Sequence, residues 1–270
     1  MRTQPILWLA SSASISIVLM AATGVAPAQD AGRKDVQPKA DELMRAMSDY
    51  LGALPAFKFT ADHTTEVVTK DGQKLQFAAT SDVIVKRPAR LRSDRRGEIV
   101  DASFFYDGKT FTVHGKRARL YAVAKAPPTL DEAIDEARNR LELEAPAADL
   151  LYSDVYAALM EDVVFGVYAG QAQIDGRTCH HLAFRGSETD WQIWIEAGSR
   201  PLPCKYVIVS KNARAAPEFS VELRQWNTAP DIAPNTFTFE PPKGTDKIDF
   251  LPAASESRAA SEAVKKTRSK

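Results

Sequence analysis

The sequence predicts a mainly β fold of the α+β class, and three observations carry this prediction. Residues 178–210 contain three segments in which apolar residues alternate between polar turns, which predicts three consecutive antiparallel strands. The pairs Asp71-Gly72, Asp107-Gly108 and Asp175-Gly176 are hairpin signals. Apolar residues at helical spacing occur before the first hairpin and again in the middle of the chain.

The N-terminal residues have the pattern of a secretory signal peptide. An apolar run from Ile6 to about Val25 ends at Ala26-Pro27-Ala28, an A-x-A cleavage pattern. We therefore expect residues 1–28 to be removed and the protein to be periplasmic; an uncleaved anchor is the alternative. Residues 29–38 are predicted as a polar lead-in, residues 39–251 as a single domain, and residues 252–270 as a disordered charged tail.

The charge balance argues against a nucleic-acid partner. The chain of 270 residues carries 35 basic and 35 acidic side chains, and no basic stripe is interleaved with aromatic residues. We expect a monomer.

The first half of the domain is predicted as one helix followed by hairpins. Residues 39–53 place Leu43 and Met44 on one helical face, and Pro55 ends the helix. From Phe57 the apolar period changes to two, through the Asp71-Gly72 turn and back. Short strands follow around residues 90–93, 102–106, 110–113 and 120–123.

Two helices are predicted in the middle of the chain. Thr129 is placed to cap a helix that begins at Leu130, with Glu132 as its capping-box partner. A second helix is predicted near residues 147–160. Strands resume after Gly166, the last long one covers residues 218–226, and a final short strand contains Phe237 and Phe239.

The register of one hairpin follows from its pattern. If Phe184 pairs with Trp191, then Leu182 faces Ile193, and these four side chains share one very apolar face with Ile195. The opposite face carries His181, Ala183, Gln192, Trp194 and Glu196. A sheet with one such face needs a cover, which helices or a ligand can supply.

The two cysteines leave a disulfide open. An even count in an exported chain favours a bond between Cys179 and Cys204. In a simple meander the two residues lie two strands apart, about 9–10 Å, whereas a disulfide needs Cα atoms within about 7 Å. A bulge, or an off-sheet segment from Pro201 to Pro203, would close the gap.

Chemistry-bearing motifs are sparse. His180 and His181 are adjacent on a strand, so they point to opposite faces and are poorly placed to bind one metal ion. His63 and His114 fall in separate strands. The sequence contains no nucleophile elbow, zincin motif or P-loop. We predict no catalytic residues, no metal site, no cofactor and no enzymatic activity.

Six strings resemble a known family: FYDGKTFTV, ADLLYSD, CHHLAFR, DWQIWIE, PLPCKYVI and NTFTFEPPKG. They are similar to the periplasmic proteins grouped as domain of unknown function 2092, over roughly residues 41–250. The resemblance implies a LolA-like fold, a strongly curved antiparallel half-barrel of about ten to eleven strands with helices on its concave face. Proteins of that wider group carry or sense lipids and lipoproteins.

The resemblance and the apolar face together predict a carrier for a hydrophobic ligand, a lipid or a lipoprotein acyl chain. The helices would form a lid over an apolar cup. The predicted cup and lid residues are Met44, Met47, Leu51, Phe59, Phe77, Phe111, Leu182, Phe184, Trp191, Ile193, Phe219 and Leu223. One alternative is that these side chains form an ordinary filled core. The other is a sensor or interaction module that docks an envelope membrane protein and carries no lipid.

Overall fold

The computed structural model describes residues 35–250, apart from residues 142 and 144. Its helices are α1 (Pro38–Ala53), α2 (Leu130–Asn139) and α3 (Val155–Met160), with a 3-10 helix at Ala148–Leu151. Its strands are β1 (Asp35–Val36), β2 (Ala56–Val68), β3 (Lys74–Lys86), β4 (Arg90–Gly97), β5 (Ala102–Tyr106), β6 (Thr110–Gly115), β7 (Leu120–Lys125), β8 (Phe165–Ile174), β9 (Arg177–Arg185), β10 (Thr189–Glu196), β11 (Pro203–Ser210), β12 (Glu218–Asn227) and β13 (Asp246–Ile248). The predicted signal peptide, its cleavage site at Ala28 and the predicted tail lie outside the described residues.

The strands form one open, curved sheet, in the order β1-β8-β9-β10-β11-β12-β2-β3-β4-β5-β6-β7-β13. Two antiparallel meanders, β2 to β7 and β8 to β12, are joined where β12 pairs with β2. This confirms the predicted mainly β class with few helices. The described residues form thirteen strands, where ten or eleven were predicted. Two of them, β1 and β13, are short edge strands that pair in parallel with β8 and β7 and carry no alternation that marks them in the sequence.

The predicted hairpin register is confirmed. Trp191 pairs with Phe184 and Ile193 with Leu182, and the face they share is buried. The turn before this hairpin also follows its sequence signal, because Asp175 and Gly176 have φ values of 49° and 73°. Positive φ at both central residues is what a type I′ turn requires.

Three expectations about local structure are wrong. Asp35–Val36 is not part of a plain lead-in but forms β1. Residues 147–160 do not form one helix, because the chain breaks after Leu151 and restarts at Val155. The Asp154 side chain accepts a hydrogen bond from the amide of Ala157 (2.8 Å), a capping role that competes with helix continuation.

The third wrong expectation concerns the segment with Phe237 and Phe239, which was predicted to be a short strand and forms none. It lies across the outer face of the sheet, where the Phe239 ring packs 5.4 Å from Phe105 and 5.2 Å from both His114 and Tyr121. Its apolar alternation therefore reflects packing against the outside of β5 to β7. The last strand is β13.

A disulfide joins Cys179 and Cys204, whose Cα atoms lie 6.9 Å apart. Trp194 pairs with Lys205, but Ile195 pairs with Pro203, so Cys204 occupies a bulge in β11. The shift of one residue brings Cys204 towards Cys179, which lies opposite Glu196 on the other side of β10. The bulge that the sequence left as one possibility is therefore what closes the gap.

The inner face of the sheet, defined as the face that carries the buried residues, is covered by the helices. Helix α1 packs against β8 and α3, with Met44, Met47 and Leu51 fully buried. The Ser48 hydroxyl accepts a hydrogen bond from the amide of Tyr156 (2.9 Å) and links α1 to α3. None of the helices in the described ranges is long and apolar enough to cross a membrane.

Candidate ligand-binding cavity

A cavity of about 290 Å³ lies between the inner face of the sheet and α2. Its floor is formed by β2 to β6 and β12, and its roof by α2 with residues 145–151. Most of the lining side chains are apolar. The volume is at the lower end of the range of about 300–1,000 Å³ for ligand pockets, so it suits one hydrocarbon chain better than two.

Four of the twelve predicted cup residues line this cavity, namely Phe59, Phe111, Phe219 and Leu223. The structure places the other eight elsewhere. Met44, Met47 and Leu51 are packed in α1, and Phe77 is half-buried towards the β2–β3 turn. The four from β9 and β10 belong to the filled part of the core: Leu182, Phe184, Trp191 and Ile193. The residues of β9 and β10 in the predicted cup thus form a filled core. A cavity lies beside the four predicted residues from β2, β6 and β12.

Beside larger side chains such as Leu130 and Ile134, the roof contains five alanines that sequence reasoning missed as site residues. Ala133 and Ala137 of α2 line the cavity, together with Ala145, Ala147 and Ala148. Because these side chains end at Cβ, the helix can approach the sheet without filling the space beneath it. The run of alanines around Pro146 was the available signal.

Polar side-chain contacts stabilise the roof at both ends of α2. The Thr129 side chain accepts from the amide of Glu132 at the start of α2, as its sequence predicts. Arg138 is paired with Asp149 (2.7 Å), and the guanidinium of Arg87 donates to the carbonyls of Leu151 (3.1 Å) and Tyr152 (2.8 Å). The Arg138–Asp149 pair joins α2 to the 3-10 helix, and Arg87 joins the end of the 3-10 helix to the chain that follows β3.

A phenol in the floor anchors the chain that leads into α2. The Tyr106 hydroxyl donates to the carbonyl of Pro127 (2.7 Å). Burial raises the pKa of Tyr106 to about 12, so the phenol keeps its proton and this hydrogen bond at neutral pH.

One histidine is buried in the cavity wall. His63 is 7% exposed, its Nε2 lies 3.2 Å from the Ser81 hydroxyl, and its ring packs 5.7 Å from Phe219. Its Nδ1 is buried and makes no hydrogen bond. Burial lowers the pKa of His63 to about 4, and the positive charge of Arg95 adds to this effect. The ring is therefore neutral at pH 7.

His63 makes a testable contribution to stability against pH. Between about pH 4 and 6.5 a histidine in the unfolded chain binds a proton that folded His63 does not. Acid therefore favours unfolding, and we expect the free energy of unfolding to fall over this window by at most about 3 kcal/mol. Urea unfolding at pH 7 and pH 4.5 measures the change.

The matched control is His63→Leu, which should give a flatter profile over the same window. The charged side chains of the described lining, Arg95 and Arg138, are kept in this variant. The same pH slope in the variant and the wild type would contradict the assignment to His63.

Among the described residues, no group of three or more His, Cys, Asp or Glu side chains is arranged to hold a metal ion. The cavity offers shape, apolar surface and a few hydrogen-bonding groups. Burial of apolar surface is the main interaction that such a lining offers.

Several solved structures are similar to this chain. LprF from Mycobacterium bovis is 15% identical, with a TM-score of 0.47 over 75% of this chain and 99% of that one. The Mycobacterium tuberculosis lipoprotein LppX is 12% identical, with a TM-score of 0.42 over 73% and 100%. A LolA superfamily protein from Nitrosomonas europaea is 10% identical, with a TM-score of 0.37 over 74% and 97%.

Sequence comparison gives a family. No curated protein matches the chain in sequence. The family model described as predicted periplasmic protein (DUF2092) matches residues 40–251. Among the described residues, that span contains α1 from Ala40 onward, the other helices, every strand but β1, and all the residues that line the cavity. The chain therefore belongs to this family of predicted periplasmic proteins.

Proposed function

We propose that the protein binds one hydrocarbon chain of a lipid or lipoprotein in the cavity beneath α2 and carries it in the periplasm. The observation that carries the proposal is the cavity itself, an apolar space of about 290 Å³ inside a folded domain. A space of this kind gains free energy when apolar surface enters it from water, by about 25 cal/mol per Å². Sequestration needs no catalytic group.

The roof is the moving part in this proposal. Helix α1 packs its buried face against β8, α3 and the core, whereas α2 meets the sheet across the cavity. Loading a chain then requires displacement of α2 with residues 145–151, held by a small set of polar bonds. The proposed lid is thus α2 rather than the first helix.

A cavity-filling variant tests this proposal. Ala137→Phe places a ring in the space under α2, and we expect it to weaken binding of an uncharged dye, N-phenyl-1-naphthylamine, by about tenfold or more. Asn139→Phe, on the exposed face of the same helix, is the control and should bind as the wild type does. Dye fluorescence measures both, and circular dichroism verifies that each variant is folded.

Undiminished binding by folded Ala137→Phe would place the dye elsewhere and contradict the cavity as the site. A wild type that binds neither the dye nor 1-dodecanol would favour the second candidate, an interaction module.

One observation favours the second candidate function, an interaction module. Val67 and Leu75, which pair at the β2–β3 turn, are exposed, and so are Ile99 and Val100 after β4. Gly97 at the end of β4 pairs with Ala79 of β3, and the β2–β3 hairpin extends beyond that pair to its turn. The four apolar side chains therefore lie at the same end of the sheet. Such a patch suits contact with an envelope membrane protein.

A further inference from the structure

The apolar inner face of the sheet continues past the cavity towards the β2–β3 turn. Phe219 lines the cavity and pairs with Thr65, which pairs in turn with Phe77. Val67 and Leu75 form the next inward pair, because side chains two residues apart on a strand share a face. We call these five residues the strip. Four of the five side chains are apolar, and the strip leads away from the cavity without a break in the pairing.

The roof of the cavity is anchored at the opposite end of β3. The amide of Leu130, the first residue of α2, donates to the carbonyl of Pro88 (2.8 Å), and Arg87 binds the end of the 3-10 helix. Both of these residues follow the last residue of β3, whereas the strip lies at its start. The outermost pair of the strip, Val67 and Leu75, is 41% and 37% exposed.

The cavity wall reaches the surface next to the strip. Val100 lines the cavity and is 42% exposed. Its backbone passes close to Gly97, where a Cβ atom would lie 3.2 Å from the Val100 carbonyl oxygen and 2.6 Å from the Ala79 methyl group. Glycine permits this close approach. Because Ala79 and Phe77 are two residues apart on one face of β3, the exposed part of the wall and the strip are neighbours.

The polarity of the two ends gives a ligand a direction. The cavity lining is mostly apolar, and a polar head buried there would lose its hydrogen bonds to water. The strip ends at a turn in which Lys70, Asp71 and Gln73 are exposed. A ligand whose hydrocarbon end lies in the cavity and whose chain follows the strip therefore keeps its head in water.

We propose that the ligand is a single-chain lipid longer than the cavity, whose hydrocarbon end fills the space under α2 while the part nearer the head lies on the strip. This rests on the proposed function and specifies the length and the direction of the ligand. The four-residue step from His63, in the cavity wall, to Val67 adds about 13 Å of strand. The continuity of the strip with the cavity is the reason to assign its cover to the same ligand.

Displacement of N-phenyl-1-naphthylamine by lauroyl and by palmitoyl lysophosphatidylcholine, below their critical micelle concentrations, tests the proposal. The two probes share a head and differ only in chain length. We expect wild-type protein to bind the palmitoyl probe about tenfold or more tightly, because its additional methylene groups leave water on the strip. Val67→Ser/Leu75→Ser should lose most of this preference and keep its affinity for the lauroyl probe within about twofold.

Val164→Ser/Phe165→Ser is the matched control, because these two side chains are also exposed and apolar but lie at β8, away from the strip. It should behave as the wild type does. In the wild type, the amide resonances of Val67 and Leu75 should shift with the palmitoyl probe and much less with the lauroyl probe.

Three results would overturn the strip proposal and leave the hydrocarbon carrier intact. They are equal affinities of the wild type for the two probes, a palmitoyl preference that persists in folded Val67→Ser/Leu75→Ser, and binding of 1-dodecanol without binding of either probe. The exposed pair would then be assigned to a protein partner. A wild type that binds neither the dye nor 1-dodecanol would overturn both proposals.

Discussion

Replacing Trp191 by lysine should leave the protein largely unfolded at 25 °C. Trp191 is 3% exposed, stacked on Phe184 with ring centroids 4.2 Å apart, and its face meets Tyr206 edge-on at 5.8 Å. Truncating such a side chain costs about 3–5 kcal/mol, and the buried ammonium adds a further penalty. The sum is comparable with the total stability of a typical domain, about 5–15 kcal/mol. Urea unfolding followed by far-ultraviolet circular dichroism measures it.

Trp194→Lys is the matched control on the same strand. Trp194 lies on the opposite face, partly exposed and stacked on His181 at 4.1 Å. A lysine there can reach water, so the expected loss is that of one aromatic pair, about 0.5–1.5 kcal/mol. Similar losses for the two variants would show that the two faces of β10 are not distinguished as the structure has them.

The second large effect that we expect is a loss of stability when the disulfide is removed. The double variant Cys179→Ala/Cys204→Ala should lower the free energy of unfolding by about 3–4 kcal/mol, the chain-entropy value for the loop between cysteines 25 residues apart. Both side chains are fully buried, and alanine leaves little empty space in their place. Urea midpoints of the oxidised wild type and the double variant give the difference.

Reduction provides the control for this prediction. A reductant should shift the wild-type midpoint towards that of the double variant and leave the double variant unchanged. If wild type and double variant unfold at the same urea concentration, the bond does not contribute to stability.

The sequence was most informative where one face is buried and the other exposed. The β9–β10 register could be predicted because a slip of one residue would expose Trp191 and Ile193 and bury Gln192. The bounds of β5 and the start of α2 were equally accessible, since an Asp-Gly turn and a threonine cap mark them. In each case the structure that the local sequence favours is also the one that the tertiary contacts stabilise.

The sequence predictions failed where contacts between residues far apart in the chain decide the local structure. The edge strands β1 and β13 are two and three residues long, too short for any alternation to identify them. Phe237 and Phe239 alternate as a strand does, but Phe239 packs on the outer face of the sheet. The cavity has the same origin, because the space depends on how closely α2 approaches the sheet. The aromatic pattern predicted an apolar interior but could not separate its filled part from its open part.

The pairing of β12 with β2 has a consequence for the order in which the protein acquires its structure. The strands β2 to β7 are complete before β12 has been synthesised, since β2 begins at Ala56 and β12 at Glu218. Until β12 arrives, β2 has a free backbone edge and the inner face has no second half to pack against. Closing a connection of this length is slow compared with forming hairpins. The complete sheet thus cannot form before β12 is present, and until then the uncovered edge of β2 is open to pairing with another chain.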